Sequence, residues 1–265
     1  MATIGVFDSG VGGLSILDEA LKQLPRHHYI YLADSANAPY GEKSASWITN
    51  RSLQICRYLV DQGCDAIVVA CNTATAEAIA QIRRELQIPI IGVEPGIKPA
   101  AMQSQNGVVG VLATEATLNS DKFNALLATL PSHCRFIKQA GAGLVPLIEN
   151  GQIESAPMRA LLQTHLKGII EAQADTLVLG CTHYPFLKSQ IRELIGASVT
   201  IVDTSDAVVR QLGRQLEQYN LAEETGITSL KLLSTANGDT LHAMAERLLQ
   251  TSLSPRSIDK QSLMI

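Results

Sequence analysis

Residues 65–74 have the sequence DAIVVACNTA, and residues 175–185 have the sequence DTLVLGCTHYP. Each stretch begins with an apolar run of strand length and continues into a cysteine followed by small or hydroxyl-bearing residues. This pattern is typical of a buried strand that delivers a thiol into a loop. Ligands of open α/β sheets bind beyond the carboxyl ends of the strands. Two thiols presented in this way, one in each half of the chain, suggest chemistry on two faces of one small substrate.

Strand and helix patterns alternate along the rest of the chain. The predicted strands are 3–7, 29–33, 65–70, 88–93, 107–113, 134–138, 175–180, 199–203 and 228–233. The predicted helices are 14–24, 44–62, 74–86, 117–129, 155–172, 186–195, 204–219 and 238–250. Alternation of this kind indicates an α/β protein whose sheets are mainly parallel and covered by helices.

A weak internal repeat divides the chain. Residues 5–9 resemble residues 110–114 at an offset of 105 (110 − 5), and the two cysteine strands repeat at an offset of 110 (181 − 71). We therefore predict two pseudo-symmetric α/β domains that face each other, with a reactive loop after the first and third strand of each. The predicted domains are residues 1–95 with 207–265, and residues 96–206. Residues 252–265 are predicted to be a loose tail.

The composition is that of a globular protein, with 265 residues, 46% hydrophobic and 17% charged. A net charge of −4 without a basic cluster argues against a nucleic-acid partner. The sequence enters a strand at its first residues and shows no long apolar stretch. We therefore expect no signal peptide, no association with a membrane and a cytoplasmic location.

The chain has five cysteines, Cys56, Cys64, Cys71, Cys134 and Cys181. The odd number and the lack of a Cys-x-x-Cys motif argue against a disulfide framework, a zinc site and a thiol redox protein. Cys71 and Cys181 both precede helical patterns, and a helix N-terminus lowers a thiol pKa toward the reactive thiolate. The alternative is that each is a small buried hydrophobe, which is what we expect of Cys56 and Cys64.

Residues 8–14, DSGVGGL, follow the first predicted strand. Asp8 and Ser9 are favoured helix caps, and the glycines could simply form a tight turn. The functional alternative is a general base beside one thiol, with backbone N–H groups open to a carboxylate. The run does not match Gly-x-Gly-x-x-Gly, so dinucleotide binding is disfavoured.

Two further candidates lie in the second half. His183 is two residues beyond Cys181, which favours a catalytic role over a structural one. Glu149 ends an apolar run and could be only a solvated helix end. Glu149 falls between the second and third predicted strands of the second half. The loop at residues 34–41 falls in the equivalent part of the first half.

Four motifs together resemble the glutamate racemases, which belong to the cofactor-independent aspartate/glutamate racemase superfamily. They are residues 8–14, residues 39–41, residues 71–74 and residues 180–185. The resemblance implies two pseudo-symmetric α/β domains with the active site in the cleft between them. It also implies interconversion of L-glutamate and D-glutamate by two cysteines, with no cofactor, neither pyridoxal phosphate nor metal.

The resemblance also implies roles for individual residues. Cys71 would remove the α-proton of D-glutamate with help from Asp8, and Cys181 that of L-glutamate with help from His183 and Glu149. Substrate contacts are implied for Ser9, Pro39, Tyr40, Gly41, Asn72, Thr73, Thr117 and Thr182. D-glutamate would supply peptidoglycan synthesis, and the family resemblance is compatible with a homodimer. The alternatives are a racemase of aspartate or another small amino acid, and a non-enzymatic amino-acid-binding protein.

Overall fold

The computed structural model describes residues 1–221 and 229–249 in full and the backbone of residues 258–262. These ranges contain ten strands and eleven α-helices. The strands are β1 Thr3–Asp8, β2 His28–Ala33, β3 Ala66–Val69, β4 Ile90–Gly92, β5 Val108–Ala113, β6 Arg135–Ala140, β7 Thr176–Gly180, β8 Thr200–Val202, β9 Ser229–Ser234 and β10 Ile258–Ser262. The helices are α1 Leu14–Gln23, α2 Ala45–Asp61, α3 Asn72–Glu85, α4 Ile97–Gln103, α5 Glu115–Asn119, α6 Asp121–Ala128, α7 Leu144–Glu149, α8 Ala156–Glu171, α9 Lys188–Ile195, α10 Ser205–Gln218 and α11 Gly238–Leu248.

The chain folds into two compact units, of which the first comprises Met1–Val93 and Ser205–Ile265. Its six-stranded sheet has the order β10-β9-β2-β1-β3-β4, and every neighbouring pair is parallel. The central strands are buried along almost their whole length, because helices cover both faces of a parallel sheet. Phe7, Leu32 and Val69 pack with apolar residues of α2 and α3, while α1 packs against α10.

The second unit comprises Glu94–Thr204 and contains a four-stranded parallel sheet of order β6-β5-β7-β8. Val111 and Val178 lie at the centre of its core. Phe123 from α6 and Ile97 from α4 pack against them. The core therefore joins the two middle strands to helices on one side of the sheet.

The internal repeat is a repeat of strand order and register. Within the first sheet, strands β1 to β4 have the order β2-β1-β3-β4, which matches the second sheet strand for strand. Phe7 lies opposite Val69 in the first sheet, and Leu112 lies opposite Leu179 in the second. Leu112 follows Phe7 by 105 residues and Leu179 follows Val69 by 110 residues, which are the two offsets of the sequence repeat. The strand order reverses between β1 and β3 and between β5 and β7. Such reversals are where open α/β sheets bind their ligands.

All nine predicted strands are present, but the prediction of a loose tail is wrong for Ile258–Ser262. These residues form β10, which pairs in parallel with β9 at the edge of the first sheet. The sequence IDKQS lacks the alternating apolar pattern of a half-buried strand, as is common at protected sheet edges. The other residues of the predicted tail, 252–257 and 263–265, lie outside the described residues.

The helices of the structure differ from the prediction in three places. The predicted helix 117–129 is divided into α5 and α6 at Ser120, whose side chain caps α6. Helices α4 and α7 were not predicted, because each is short and carries a proline, Pro99 or Pro146, in its first turn. Proline is tolerated there although it usually indicates a break. No helix in the described part of the chain has the length and apolarity needed to cross a membrane.

Candidate active site

Strands β1 and β3 end side by side and bring together the first group of candidate residues. Ala70 donates a backbone hydrogen bond to Phe7 at 2.6 Å, which continues the pairing beyond β3. One residue further on, the Cys71 thiol lies 3.7 Å from Ser9 Oγ, to which it donates. We call Asp8, Ser9, Cys71, Asn72 and Thr73 the Cys71 cluster; all five are buried.

Cys71 is the N-cap residue of α3. Its Sγ accepts a hydrogen bond from the backbone N–H of Ala74 at 3.5 Å. The N-terminus of this 14-residue helix carries a partial positive charge that stabilises an adjacent thiolate. The expectation that a helix N-terminus faces the thiol is therefore confirmed for Cys71.

Asp8 and Ser9 do not cap the following helix, so the capping interpretation is wrong. The N-cap of α1 is Gly13, and Asp8 Oδ2 instead accepts the N–H of Gly10 at 3.1 Å. Gly13 is required by packing, because an added Cβ would lie 2.8 Å from Asp8 Cβ and 3.0 Å from Ala70 Cβ. The glycines thus let α1 begin against the end of β1 and hold the carboxylate of Asp8 in a tight loop.

Asn72 and Thr73 form the first turn of α3. Asn72 Nδ2 donates to the carbonyl of Val93 at 3.4 Å, which ties the turn to the residue after β4. Pro39 and Gly41 are half-buried, and between them Tyr40 is fully buried and begins a short 3-10 turn.

The Tyr40 hydroxyl donates to Asp34 Oδ2 at 2.6 Å, so its proton is directed at Asp34. Burial, followed by the nearby charges of Asp34 and Cys71, raises the pKa of Tyr40 far above its ordinary value. Tyr40 is therefore a neutral phenol. It packs against Phe7 and lies in the same buried cluster as Cys71.

Sequence reasoning did not single out the ion pair beneath Tyr40. Asp34 is fully buried, and its carboxylate accepts bonds from Arg51 Nε at 2.9 Å and Nη2 at 2.7 Å. Thr235 and Asn37 donate to the same carboxylate. Burial alone would raise the pKa of Asp34, but these hydrogen bonds, led by that of Arg51, hold it below its ordinary value. No local motif links Asp34 to Arg51 or Thr235, because they are 17 and 201 residues apart in the sequence.

The second group of candidates lies at the end of β7. The Cys181 Sγ is 3.7 Å from His183 Nδ1, and His183 Nε2 is 2.5 Å from Glu149 Oε1. We call Glu149, Cys181, Thr182 and His183 the Cys181 cluster. Glu149 is the last residue of α7, but its side chain is only 16% exposed. The interpretation of Glu149 as a solvated helix end is therefore wrong.

The surroundings of His183 favour its protonated form. Burial alone would lower its pKa, but the hydrogen bonds and charges of Cys181 and Glu149 outweigh burial and raise the pKa well above its ordinary value. A protonated imidazole donates from both ring nitrogens. His183 can therefore direct one N–H at the Cys181 sulfur and the other at the Glu149 carboxylate.

Cys181 differs from Cys71 in its relation to helices. The chain after Cys181 turns through a 3-10 segment, Tyr184–Leu187, and the next α-helix, α9, begins only at Lys188. Cys181 therefore precedes a helical segment, as predicted, but it is not the N-cap residue of an α-helix as Cys71 is. The polar group beside the Cys181 thiol is the His183 ring, whereas Cys71 faces a backbone N–H group of α3.

Two threonines, Thr114 and Thr117, follow the neighbouring strand β5. Thr117 is fully buried in α5, and its Oγ1 accepts a bond from Thr114 Oγ1 at 2.9 Å. Thr114, which sequence reasoning missed, follows Ala113, and Ala113 is paired with Gly180. Its position in the repeat is that of Ser9, so a hydroxyl follows the first strand in both sheets.

Tyr184 is a second residue that sequence reasoning missed. It is fully buried and donates to the carbonyl of Gly141 at 3.3 Å. Only glycine fits at 141, because an added Cβ would overlap the Tyr184 hydroxyl. This contact fixes the chain before α7, the helix that ends in Glu149.

The remaining cysteines take no part in either cluster. Cys56 and Cys64 are buried in the first core, where burial raises the pKa of each thiol to about 12. Cys134 is half-buried and donates to a backbone carbonyl. The packing role predicted for Cys56 and Cys64 fits this placement. Among the described residues, no group of three or more histidine, cysteine, aspartate or glutamate side chains is placed to hold a metal ion.

A family model of the Asp/Glu/hydantoin racemases matches residues 4–212, which is most of the chain. The glutamate racemase of Ralstonia nicotianae is 51% identical over 258 residues, covering 97% of this chain and 93% of the relative. The chain belongs to the glutamate racemase family. The family predicted from the four motifs is therefore confirmed. Glutamate racemases are isomerases, so the predicted enzyme class is confirmed as well.

Solved structures of glutamate racemases have the same fold. That from Escherichia coli, in complex with L-glutamate and the activator UDP-MurNAc-ala, is 32% identical with a TM-score of 0.84, covering 93% of this chain and 95% of that chain. That from Francisella tularensis, in complex with D-glutamate, is 30% identical with a TM-score of 0.83, covering 96% and 95%. The predicted fold class, two α/β domains with parallel sheets flanked by helices, is confirmed.

Proposed function

We propose that this glutamate racemase family member interconverts L-glutamate and D-glutamate by moving a proton at Cα, with Cys71 and Cys181 as its two bases. The observation that carries the proposal is the placement of one buried thiol at the strand-order reversal of each sheet. Further support comes from the relatives, whose structures hold L-glutamate in one case and D-glutamate in another.

Racemisation needs a group on each face of Cα, because a proton must leave one face and another must arrive on the opposite face. A single base would have to cross the plane of the intermediate. With two cysteines, one starts as thiolate and the other as thiol, and each turnover exchanges their states. Two like charges close together are costly, which favours this singly ionised form.

Cys71 removes the α-proton of D-glutamate in this proposal. The N–H of Ala74 and the α3 N-terminus stabilise its thiolate. Asp8, held at the end of β1 by Gly10, assists proton transfer at Cys71. Ser9 orients the thiol through the 3.7 Å contact with its sulfur.

Cys181 removes the α-proton of L-glutamate. His183 holds a proton at Nδ1, directed at the sulfur, and it can share this proton as the thiol changes state. Glu149 fixes the orientation of the ring and balances its charge. The group acts as a relay in which each member is oriented by the next.

The α-proton of an amino acid is much less acidic than a thiol, whose ordinary pKa is about 8.5. The site must therefore stabilise a carbanion-like transition state, and preorganised hydrogen-bond donors are the means available to the chain itself. Asn72, Thr73 and Thr182 hold the α-carboxylate in the proposal. The remaining substrate contacts are assigned to Ser9, Pro39, Tyr40, Gly41 and Thr117.

The family resemblance also leads us to propose a biological role for the product. D-glutamate made by the protein would supply peptidoglycan synthesis in the cytoplasm. The resemblance also leads us to propose a homodimer, which light scattering of the purified protein tests directly.

The test is the circular dichroism of L-glutamate incubated with the purified protein, with chelator present and no pyridoxal phosphate added. We expect the signal to decay to zero with the wild-type protein and with Cys134→Ser, the matched control outside both clusters. It should persist with Cys181→Ser. An unchanged signal with the wild type would overturn the proposal and direct the same assay to aspartate and other small amino acids.

A further inference from the structure

We propose that Asp34, Arg51 and Thr235 are positioning residues that hold the substrate-contact residues Pro39, Tyr40 and Gly41 in place. The inference rests on the proposed function, because it takes these three residues as part of the glutamate site. It adds an assembly in which one member, Thr235, lies beyond residues 4–212, the region matched by the family model. We call residues 39–41 the Tyr40 loop.

Asp34 is the centre of the assembly. It follows β2 directly, and its backbone N–H donates to the carbonyl of Asp8 at 2.9 Å. Its side chain is fully buried and receives two bonds from Arg51, whose side chain is only 10% exposed. A buried carboxylate is stable only when it is paired and hydrogen-bonded. The geometry of the ion pair is therefore tightly determined.

Tyr40 joins the loop to this ion pair. Its hydroxyl donates to Asp34 at 2.6 Å, and its ring packs against Phe7 and Trp47. The ring is fully buried, so the loop cannot move without breaking the bond to Asp34 or exposing the aromatic surface. The positions of Pro39 and Gly41 thus depend on a carboxylate in the preceding strand–loop junction.

Thr235 brings the C-terminal part of the chain into the assembly. It follows β9, which lies beside β2, and its N–H donates to the carbonyl of Ala33 at 3.0 Å. Its Oγ1 donates to Asp34 Oδ1 at 2.8 Å and accepts the N–H of Ala36 at 3.2 Å. A single hydroxyl therefore fixes both the carboxylate and the backbone that leads into the Tyr40 loop.

The role differs from general stabilisation in a measurable way. Loss of the Thr235 hydroxyl leaves the Arg51–Asp34 pair in place but releases one side of the carboxylate and the backbone at Ala36. The Tyr40 loop then samples more conformations, so substrate binding weakens while the thiols are unaffected. The lost bond is to a charged carboxylate, and such a bond has a net value that corresponds to about tenfold or more. Only part of this loss reaches the substrate through the loop, which leaves about threefold to tenfold in binding. We expect a rise of this size in KM and a change in kcat of less than about twofold.

Trp47 reports on the loop without any need for activity. It is the sole tryptophan in the sequence, and its ring lies edge-on to Tyr40 with centroids 5.3 Å apart. The near-ultraviolet circular dichroism and the fluorescence of Trp47 are therefore sensitive to the position of Tyr40. This signal remains interpretable whatever the protein acts on.

The test compares Thr235→Val with Thr235→Ser and with the control Ser229→Ala. Val has nearly the shape of Thr but no hydroxyl, whereas Ser keeps the hydroxyl. Ser229 also links β9 to β2, through a 2.5 Å contact with His28 Nδ1, but at the opposite end of the strands. Thr235→Val should raise KM for both enantiomers and alter the Trp47 signal. Thr235→Ser and Ser229→Ala should leave both near the wild-type values.

The inference is overturned if Thr235→Val leaves KM and the Trp47 signal unchanged, or if Ser229→Ala changes them equally.

If Thr235→Val does not fold, Arg51→Lys provides the same comparison, because it keeps the charge and loses the two-point contact. Its control is Arg57→Lys on the same helix, where Arg57 pairs with Glu85 at the surface. If the wild type does not racemise glutamate, the proposed function fails, while the Trp47 comparison still decides whether Thr235 positions the loop.

Discussion

Cys71 and Cys181 occupy the same register position in two sheets of matching strand order. Each lies two residues beyond a strand residue, Val69 or Leu179, that is paired with the first strand of its sheet. Their surroundings differ, because Cys71 faces the N-terminus of α3 whereas Cys181 faces His183. The fold thus repeats the position of the thiol but not the way in which its charge is stabilised, and the two thiols should respond differently to substitution.

Replacing either thiol by a hydroxyl should strongly slow racemisation but leave one partial reaction. Cys71→Ser retains Cys181 and should slowly exchange the α-proton of L-glutamate with solvent deuterium, while Cys181→Ser should do so only with D-glutamate. Racemisation should fall by about 10²-fold or more, the usual contribution of a general base. Proton NMR in heavy water over a long incubation measures the two exchange reactions, each as the loss of the α-proton signal of one enantiomer. A single variant that exchanges both enantiomers would contradict the assignment of faces.

Asp8→Asn should affect only the proton transfers that involve Cys71. At equilibrium the two enantiomers are equal in amount, so kcat/KM must fall equally in both directions and cannot reveal the asymmetry. The primary deuterium isotope effect, measured separately for each enantiomer, does reveal this asymmetry. With α-deuterated D-glutamate the isotope effect should rise, because removal by Cys71 becomes slower, and with α-deuterated L-glutamate it should fall. Isotope effects that move together in both directions would show that Asp8 is not specific to Cys71.

The protonation of His183 should link folding stability to pH. Its pKa is raised in the folded protein, so its contribution is fully present below the unfolded value of about 6.5 and is lost as pH rises through the folded value. Urea unfolding should therefore show wild type more stable than His183→Gln near neutral pH, with the difference narrowing at alkaline pH. A difference that widens as pH rises would contradict a protonated His183.

Gly13→Ala should disturb the Cys71 cluster, because the new methyl group would press on Asp8 Cβ and Ala70 Cβ. Overpacking of this kind costs about 1–3 kcal/mol of unfolding free energy, and it should also lower activity by displacing Asp8. Gly168→Ala is the matched control in α8, where an added Cβ meets nothing within 4 Å. It should stabilise the protein by about 0.5–1 kcal/mol without loss of activity. Equal activity of the two variants would remove the packing argument for Gly13.

Some of the fold could be predicted because its signals are local. The apolar runs before Cys71 and Cys181 indicated both strands and the loops that follow them. Strand β10 was missed because an edge strand with one neighbour needs no apolar pattern. Helices α4 and α7 were missed because the prolines in their first turns resemble helix breaks.

The site was predictable only in part. The contact of His183 with Cys181 follows from a separation of two residues, whereas the contact with Glu149 spans 34 residues. The pairing of Asp34 with Thr235 spans 201 residues and depends on β9 lying beside β2. Such contacts arise from sheet order, which single motifs do not encode.

The most direct test of the two-base account follows the fate of the α-proton. Purified protein would be incubated with L-glutamate in heavy water, and early samples would be separated by enantiomer and examined by mass spectrometry. The account predicts that newly formed D-glutamate carries deuterium at Cα, while unreacted L-glutamate still carries protium. D-glutamate that retains the original protium would mean that one base carries the proton across, which would contradict the account.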